Sequence, residues 1–265
     1  PATLWAFNHA IAYVPGLDLY LDGTAESSGL RELPELDQDA QVLRLDLFSD
    51  AAPTLTRIPL QSGADNHVVA EARYVLEPDG DATSELSETV RGTSAGRLRA
   101  RLQDPTRRDA IIADIIASQH PGTSLESASY DNLDALGKPV TIRAKIRLPK
   151  LAVRDGDALD LPLVLEPGGR LLQMAPLTVR KQPLVLTVTE LEDNTDVYVL
   201  PPGAKPIALP PPVEVTSPFG RWTMTLRMDG RDVIATSRWE LTRTRIEPAD
   251  YPAFRRFLED VSRTE

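Results

Sequence analysis

Prolines interrupt this chain at short intervals and limit it to short elements of secondary structure. The 265 residues include 23 prolines and 15 glycines, and the runs between the proline clusters are rich in valine, leucine, threonine and arginine. Proline breaks helices and cannot donate a hydrogen bond within a sheet, whereas valine and threonine favour strands. The pattern therefore predicts an α+β chain that is mostly β, with many short strands joined by turns and few helices.

Changes in the residue pattern divide the chain into three predicted segments. Residues 1–52 contain one hairpin and a further strand, and a linker follows them. Residues 53–152 form an α+β module with a hairpin that turns at Asp79-Gly80, one helix and returning strands. Residues 153–265 form a β-rich module that ends in a helix. The second and third segments are expected to be antiparallel and sandwich-like.

Two helices are predicted from the spacing of apolar residues. The first begins at Asp104 as its N-cap, has Pro105 in its first turn and ends before His120. The second begins near Pro248. Four apolar residues share one face of this second helix, which predicts that it docks on a sheet: Tyr251, Phe254, Leu258 and Val261.

Charge and composition exclude several kinds of partner and site. The net charge of -10 comes from 39 acidic and 29 basic residues spread along the chain, so nucleic acid and anionic membranes are not expected partners. The absence of cysteine excludes disulfides, thiolate metal sites and a thiol nucleophile within this sequence. With three dispersed histidines, we expect no metal and no cofactor. His67 and His120 are interpreted as structural.

The first hairpin contains one pair of residues that is suited to catalysis. If its turn centres between Gly16 and Leu17, paired residue numbers sum to about 33, so Asp22 lies across from Ile11 and His9 is its diagonal neighbour on the same face. An imidazole and a carboxylate placed in this way can act as a general base and its orienting partner. The same arrangement is more often a solvated polar contact, and the nucleophile is missing.

The amino-acid sequence of this hairpin resembles that of the bacterial transglutaminase-like family. The two matching segments are Phe7-Asn8-His9-Ala10 and Tyr20-Leu21-Asp22-Gly23-Thr24-Ala25. In that family, a cysteine at a helix start precedes a strand with the histidine and a strand with Leu-Asp-x-Thr. Members commonly have proline where Gly23 stands, and the cysteine and its helix would precede Pro1. We therefore expect the chain to be a C-terminal fragment.

The remainder of the chain is similar to the β-rich C-terminal region of transglutaminase-like proteins that also carry an N-terminal domain of unknown function. The segments that support this similarity include Leu30–Pro34, Val42–Leu45, Val90–Gly92, Arg97–Arg101, Arg180–Val185, Leu200–Gly203, Ser217–Gly220 and Tyr251–Phe257. The resemblance implies that residues 1–52 are the last strands of a transglutaminase-like core. The segments 53–152 and 153–265 are then non-catalytic β modules.

The resemblance also implies a papain-like Cys-His-Asp triad, with His9 as general base and Asp22 as its orienting partner. The activity would be acyl transfer from amides or their hydrolysis, on a protein or peptide substrate, with the cysteine supplied by the upstream segment of the same protein. A periplasmic or secreted location is a further implication. Asn8 is a candidate for orienting the imidazole or donating to an oxyanion, and Trp5 for lining a substrate groove. The simpler role of Asn8 is a hydrogen bond in a turn, and that of Trp5 is packing in the core.

The alternative function is that of a non-enzymatic β-sandwich interaction or scaffold module in which the His9 segment is vestigial or structural. In either case we expect the chain to be inert by itself. An incomplete first segment leaves a sheet edge bare, and this predicts a homo-oligomer. The arginines of the predicted strands, among them those at 97, 99 and 101, form either an anion-binding face or a solvated one.

Overall fold

The computed structural model describes residues 7–46, 48–156, 158–161, 169–206 and 208–264. Within these ranges the chain is α+β and mostly β, which confirms the predicted class. The strands of the first half are β1 (Ala12–Val14), β2 (Leu19–Leu21), β3 (Gln41–Arg44), β4 (Thr54–Arg57), β5 (His67–Leu76), β6 (Ala82–Val90), β7 (Ser124–Asp131) and β8 (Val140–Leu148). Those of the second half are β9 (Val153–Asp155), β10 (Ala158–Asp160), β11 (Leu184–Val185), β12 (Glu190–Val199), β13 (Val213–Ser217), β14 (Gly220–Asp229), β15 (Asp232–Leu241) and β16 (Arg245–Ile246). The helices are α1 (Thr93–Arg101), α2 (Arg108–Gln119), α3 (Arg170–Met174) and α4 (Tyr251–Ser262).

One eight-stranded sheet organises the molecule, in the order β13-β14-β15-β12-β5-β6-β8-β7. The β5–β6 hairpin lies where the sequence predicts it and turns at Pro78-Asp79-Gly80, and β14 and β15 form a second hairpin. β12 pairs with β5 in parallel, whereas its other neighbour, β15, is antiparallel. The sheet is therefore mixed, and backbone hydrogen bonds between β5 and β12 join the predicted second and third segments.

The hydrophobic core lies on one face of this sheet. Every second residue of β8 is buried, from Val140 to Leu148, as expected for a strand with one covered face. α4 covers the β13–β15 end of the same face, and all four residues of its predicted apolar stripe are buried. Trp239 stacks on Phe257 with ring centroids 5.6 Å apart. Burial of each large side chain contributes about 1.5–3 kcal/mol, so this contact anchors the C-terminus.

The helices depart from the sequence predictions in three places. α1 occupies residues 93–101, where the alternating arginines predict a strand. α2 begins at Arg108 rather than at Asp104, because the Asp104 carboxylate accepts hydrogen bonds from Thr106 in the preceding turn. α4 begins at Tyr251, slightly later than predicted. None of the helices in the described ranges is long and apolar enough to cross a membrane.

Gly92 explains why a helix can start directly after β6. Its φ angle is +70°, and a Cβ atom there would lie 2.2 Å from the carbonyl oxygen of Asp65. Only glycine fits this reversal of direction. The turn places α1 against residues 27–35, which Arg97 and Arg99 contact.

The first hairpin has the predicted register. Ala12 pairs with Leu21 and Val14 with Leu19 across a short turn, and Asp18 adopts the left-handed conformation that closes it. β3 pairs with β4, and this contact spans the predicted boundary at residues 52–53. β3 ends at Arg44.

Candidate functional site

His9 and Asp22 meet at the open end of the first hairpin. Asp22 follows β2 directly, and His9 lies shortly before β1, in a segment that is not part of the strand. The Nε2 atom of His9 is 3.1 Å from Oδ2 of Asp22. The diagonal relation predicted from the sequence therefore brings the imidazole and the carboxylate into hydrogen-bonding distance, although β1 is shorter than predicted.

The Asp22 carboxylate is buried and well supplied with donors. Its side chain is 5% exposed, and its Oδ1 accepts hydrogen bonds from the backbone N–H and the hydroxyl of Thr24, at 2.9 and 2.8 Å. Burial alone raises the pKa of Asp22, but the hydrogen bonds from Thr24 and His9 outweigh it and bring this pKa below its usual value. Asp22 is therefore ionised at neutral pH.

The orientation of the His9 ring follows from the ionised partner. A carboxylate only accepts hydrogen bonds, so Nε2 carries the proton that points to Asp22. Nδ1 then has the lone pair that can take a proton from another group. The side chain is 39% exposed, so a reacting group can approach Nδ1 from solvent or from another part of a larger protein.

A buried ion pair fixes the loop that follows Asp22, residues 23–38, which we call the site loop. The Arg99 guanidinium of α1 is 2% exposed and lies 2.7 Å from the Glu32 carboxylate, which is 10% exposed and also accepts the N–H of Gly29. Arg99 also donates to the backbone carbonyls of Ser27 and Lys138. The interior-facing Arg99 thus connects the site loop to the helix that starts at the end of the large sheet.

A second contact anchors the end of the site loop. The buried side-chain amide of Gln38 donates to the hydroxyl of Thr93 at 2.6 Å and to the carbonyl of Leu33 at 3.2 Å. The Thr93 hydroxyl in turn donates to the same Leu33 carbonyl at 2.9 Å. Thr93 is the first residue of α1, so both ends of this helix hold the site loop in place.

Asp37 is a third titratable residue at the site, and the sequence analysis does not identify it. It lies at the end of the site loop and is 8% exposed, and ligand-type atoms of His9, Asp22 and Asp37 all lie within 4.8 Å of one another. Such spacing is common to metal sites and to hydrogen-bonded clusters. Thr24 and His9 already donate hydrogen bonds to Asp22, which favours a hydrogen-bonded cluster here. Burial and the neighbouring negative charge of Asp22 raise the pKa of Asp37.

The other predicted site residues lie apart from this contact. Asn8 is exposed, and no hydrogen bond joins its side chain to another described residue. Trp5 lies outside the described residues. His67 lies 2.9 Å from Asp193, whose carboxylate also binds Arg238, so it belongs to an ion-pair network on the large sheet. Burial lowers the pKa of His120.

Recesses lie beside Asp22 and on the exposed face of the large sheet. One of about 260 Å³ adjoins Asp22 and is lined by the site loop, including Ser28 and Leu30. The other, of about 740 Å³, lies on the exposed face of the large sheet. It contains charges of both signs, such as Lys145 and Glu85 at 3.4 Å. The arginines at 97 and 99 pair with glutamates, which favours a solvated or structural role for them over an anion site.

Comparisons with known proteins match a family model and a solved structure, each to part of the chain. A family model described as "Domain of Unknown Function with solved-structure structure (DUF3858)" matches residues 163–265. Among solved structures, a "putative protease" from Parabacteroides distasonis is similar at 20% identity with a TM-score of 0.33, over 39% of this chain and 20% of that one. This chain therefore corresponds to about a fifth of that protein's length. None of the curated proteins matches.

Proposed function

We propose that this chain supplies the general base and its orienting carboxylate to a transglutaminase-like thiol enzyme that transfers or hydrolyses amide acyl groups. The observation that supports the proposal most strongly is the 3.1 Å contact between His9 Nε2 and the buried, ionised Asp22. The thiol is proposed to belong to an upstream segment of the same protein, and the substrate to be a protein or peptide.

His9 and Asp22 have distinct roles in this reaction. The thiol loses its proton to Nδ1 of His9, and the sulfur attacks the amide carbonyl carbon. When the C–N bond breaks, the imidazolium returns the proton to the departing amine, and the acyl group remains on sulfur. Water then gives hydrolysis, or an amine gives transfer. Asp22 keeps its charge throughout, because its task is to hold the proton on Nε2 and to stabilise the imidazolium.

Asn8 and Trp5 complete the proposed site. Asn8 precedes the general base and is exposed, so its amide is available to orient the imidazole or to donate to the oxyanion of the tetrahedral intermediate. Trp5 is proposed to line the substrate groove. Both assignments rest on the resemblance of residues 7–10 to the family motif and on their closeness to His9 in the sequence.

The test uses the protein extended upstream to include its cysteine. Thiol-dependent release of ammonia or amine from glutamine-containing and other peptide substrates is measured for the parent and for His9→Ala, Asp22→Asn and His67→Ala. His67→Ala is a matched control, because it removes a histidine that also contacts an aspartate but lies on the large sheet.

The expected results distinguish the thiol enzyme from the alternative, a non-enzymatic interaction module. We expect Asp22→Asn to lose about 10⁴-fold and His9→Ala up to about 10⁶-fold in kcat, as triad substitutions do, and His67→Ala to stay active. The 265-residue chain alone should be inert. An upstream sequence without cysteine, or activity that His9→Ala leaves at the level of His67→Ala, would contradict the proposal and favour a non-enzymatic interaction module.

A further inference from the structure

Two carboxyl groups lie side by side at the candidate site with too few donors for both to be charged. Oxygen atoms of Asp22 and Asp37 lie within 4.8 Å of each other, and both side chains are buried. The Oδ2 atom of Asp37 is out of reach of solvent, and no described group donates a hydrogen bond to it. A second buried negative charge beside the first would be strongly unfavourable, so one of the two carboxyls keeps a proton.

The distribution of donors decides which carboxyl keeps the proton. Asp22 accepts two hydrogen bonds from Thr24 and one from His9, and each of these stabilises its charged form. For Asp37, no described group donates to Oδ2, and its neighbours in the cluster are Asp22 and His9. The charged groups that act on Asp37 are Asp22, which favours its neutral form, and His9, which opposes it. Burial adds to the effect of Asp22 and raises the pKa of Asp37.

We propose that Asp37 is a positioning residue that donates a hydrogen bond, as the neutral acid, to the Asp22 carboxylate and holds it toward His9. The catalytic consequence of this inference rests on the function proposed above, whereas the hydrogen bond itself does not. Thr24 then holds Asp22 from the turn after β2, and Asp37 holds it from the far end of the site loop.

The surroundings of Asp37 suit this role. Its backbone N–H donates to the carbonyl of Pro34 at 3.1 Å, and its neighbour Gln38 is bound to Thr93 at the start of α1. The backbone that carries Asp37 is therefore tied to the start of α1, while Asp22 belongs to the first hairpin. The proposed Asp37–Asp22 hydrogen bond joins the two and positions the carboxylate that orients His9 relative to α1.

The protonation state can be tested on the 265-residue chain without any activity. Side-chain carboxyl ¹³C shifts are followed from pH 2 to 9 in the parent and in Asp22→Asn, with EDTA present to exclude trace metals. We expect Asp37 to titrate above the ordinary value of about 3.9 and above Asp22. In Asp22→Asn its titration should fall, because the charge is gone and the new amide donates to the ionised form. A pKa of Asp37 at or below that of Asp22, or one low enough to leave Asp37 ionised at the pH of the activity assays, would overturn the inference.

The catalytic consequence is tested in the extended, cysteine-containing protein. Asp37→Leu removes the donor and is expected to lower kcat about 10- to 100-fold with little change in KM, because the base is misplaced. Asp37→Asn keeps an N–H donor and should restore most of that loss. If Asp37 acts as the neutral acid, the parent should lose activity as the pH rises through the pKa of Asp37, and Asp37→Asn should remove that loss.

A matched control and the contrary outcomes complete the design. Asp39→Asn changes a more exposed aspartate two positions along and should not alter the profile. Equal activities of Asp37→Leu and Asp37→Asn, whether both high or both low, would refute the positioning role. If the extended protein has no activity at all, the proposed function fails, and the ¹³C titration still decides the state of Asp37.

Discussion

Replacing Arg99 with methionine should cost far more stability than the same change at Arg97, although both arginines lie on α1 and both bind glutamates of the site loop. The Arg99 guanidinium is 2% exposed and its partner Glu32 is 10% exposed, at 2.7 Å. Arg97 is 54% exposed and contacts Glu35 at 2.9 Å, so the two pairs differ mainly in burial.

Burial sets the expected magnitudes. Methionine at position 99 leaves the Glu32 carboxylate without its charged partner and the Ser27 and Lys138 carbonyls without the Arg99 donor, and breaking a buried pair in this way costs about 3–5 kcal/mol. The pair of Arg97 is screened by water and contributes only about 0.2–1 kcal/mol.

Urea unfolding, followed by circular dichroism, measures the global effect, and the rate of proteolytic cleavage within residues 23–38 measures local detachment of the site loop. We expect Arg99→Met to lower the free energy of unfolding by several kcal/mol or to accelerate cleavage strongly, and Arg97→Met to do neither. In the double variant Arg99→Met/Glu32→Gln the cost should be smaller than the sum of the single costs. Indistinguishable behaviour of Arg99→Met and Arg97→Met would refute the idea that this pair holds the loop.

Three further predictions concern the hairpin, the sheet and α4. Phe254→Ala should lower the free energy of unfolding by about 3–5 kcal/mol in urea titrations, since the ring is fully buried, while the exposed Arg256→Ala stays within about 0.5 kcal/mol. Burial raises the pKa of Asp196 to about 7, so its neutral form stabilises the fold at low pH and that contribution is lost as the pH rises from about 4 through 7. Asp196→Asn should therefore stabilise the protein by up to about 4 kcal/mol at pH 8 but not at pH 4, and equal effects at both pH values would contradict the assignment. Asp18→Ala should destabilise the first hairpin by about 1 kcal/mol in hydrogen exchange, because alanine disfavours the left-handed conformation, whereas Asp18→Asn should be tolerated.

Local signals account for the features that the sequence predicts well. The register of the first hairpin follows from a Pro-Gly corner and alternating residues on both sides, and it places His9 diagonally from Asp22. The stripe of α4 is correct because an amphipathic helix at a chain end has few ways to bury its apolar face. Each of these features depends on residues that are close together in the sequence.

Features that depend on distant residues escape sequence analysis. The arginines at 97, 99 and 101 alternate as in a strand, yet α1 forms because Arg99 turns inward to Glu32, a partner far away in the sequence. Asp37 stands in an acidic stretch that predicts a solvated loop. Its burial follows only from the docking of the site loop on α1. The parallel pairing of β5 with β12 likewise has no local signature.

That parallel pairing also bears on how the protein is made. β5 leaves the ribosome long before β12, and β6 can cover only one of its sides at that stage. Until residues 190–199 are synthesised, the other side of β5 presents unpaired N–H and C=O groups to solvent, and such an edge recruits strands from other nascent chains. A chain terminated before β12 is therefore expected to aggregate rather than to accumulate as a folded half.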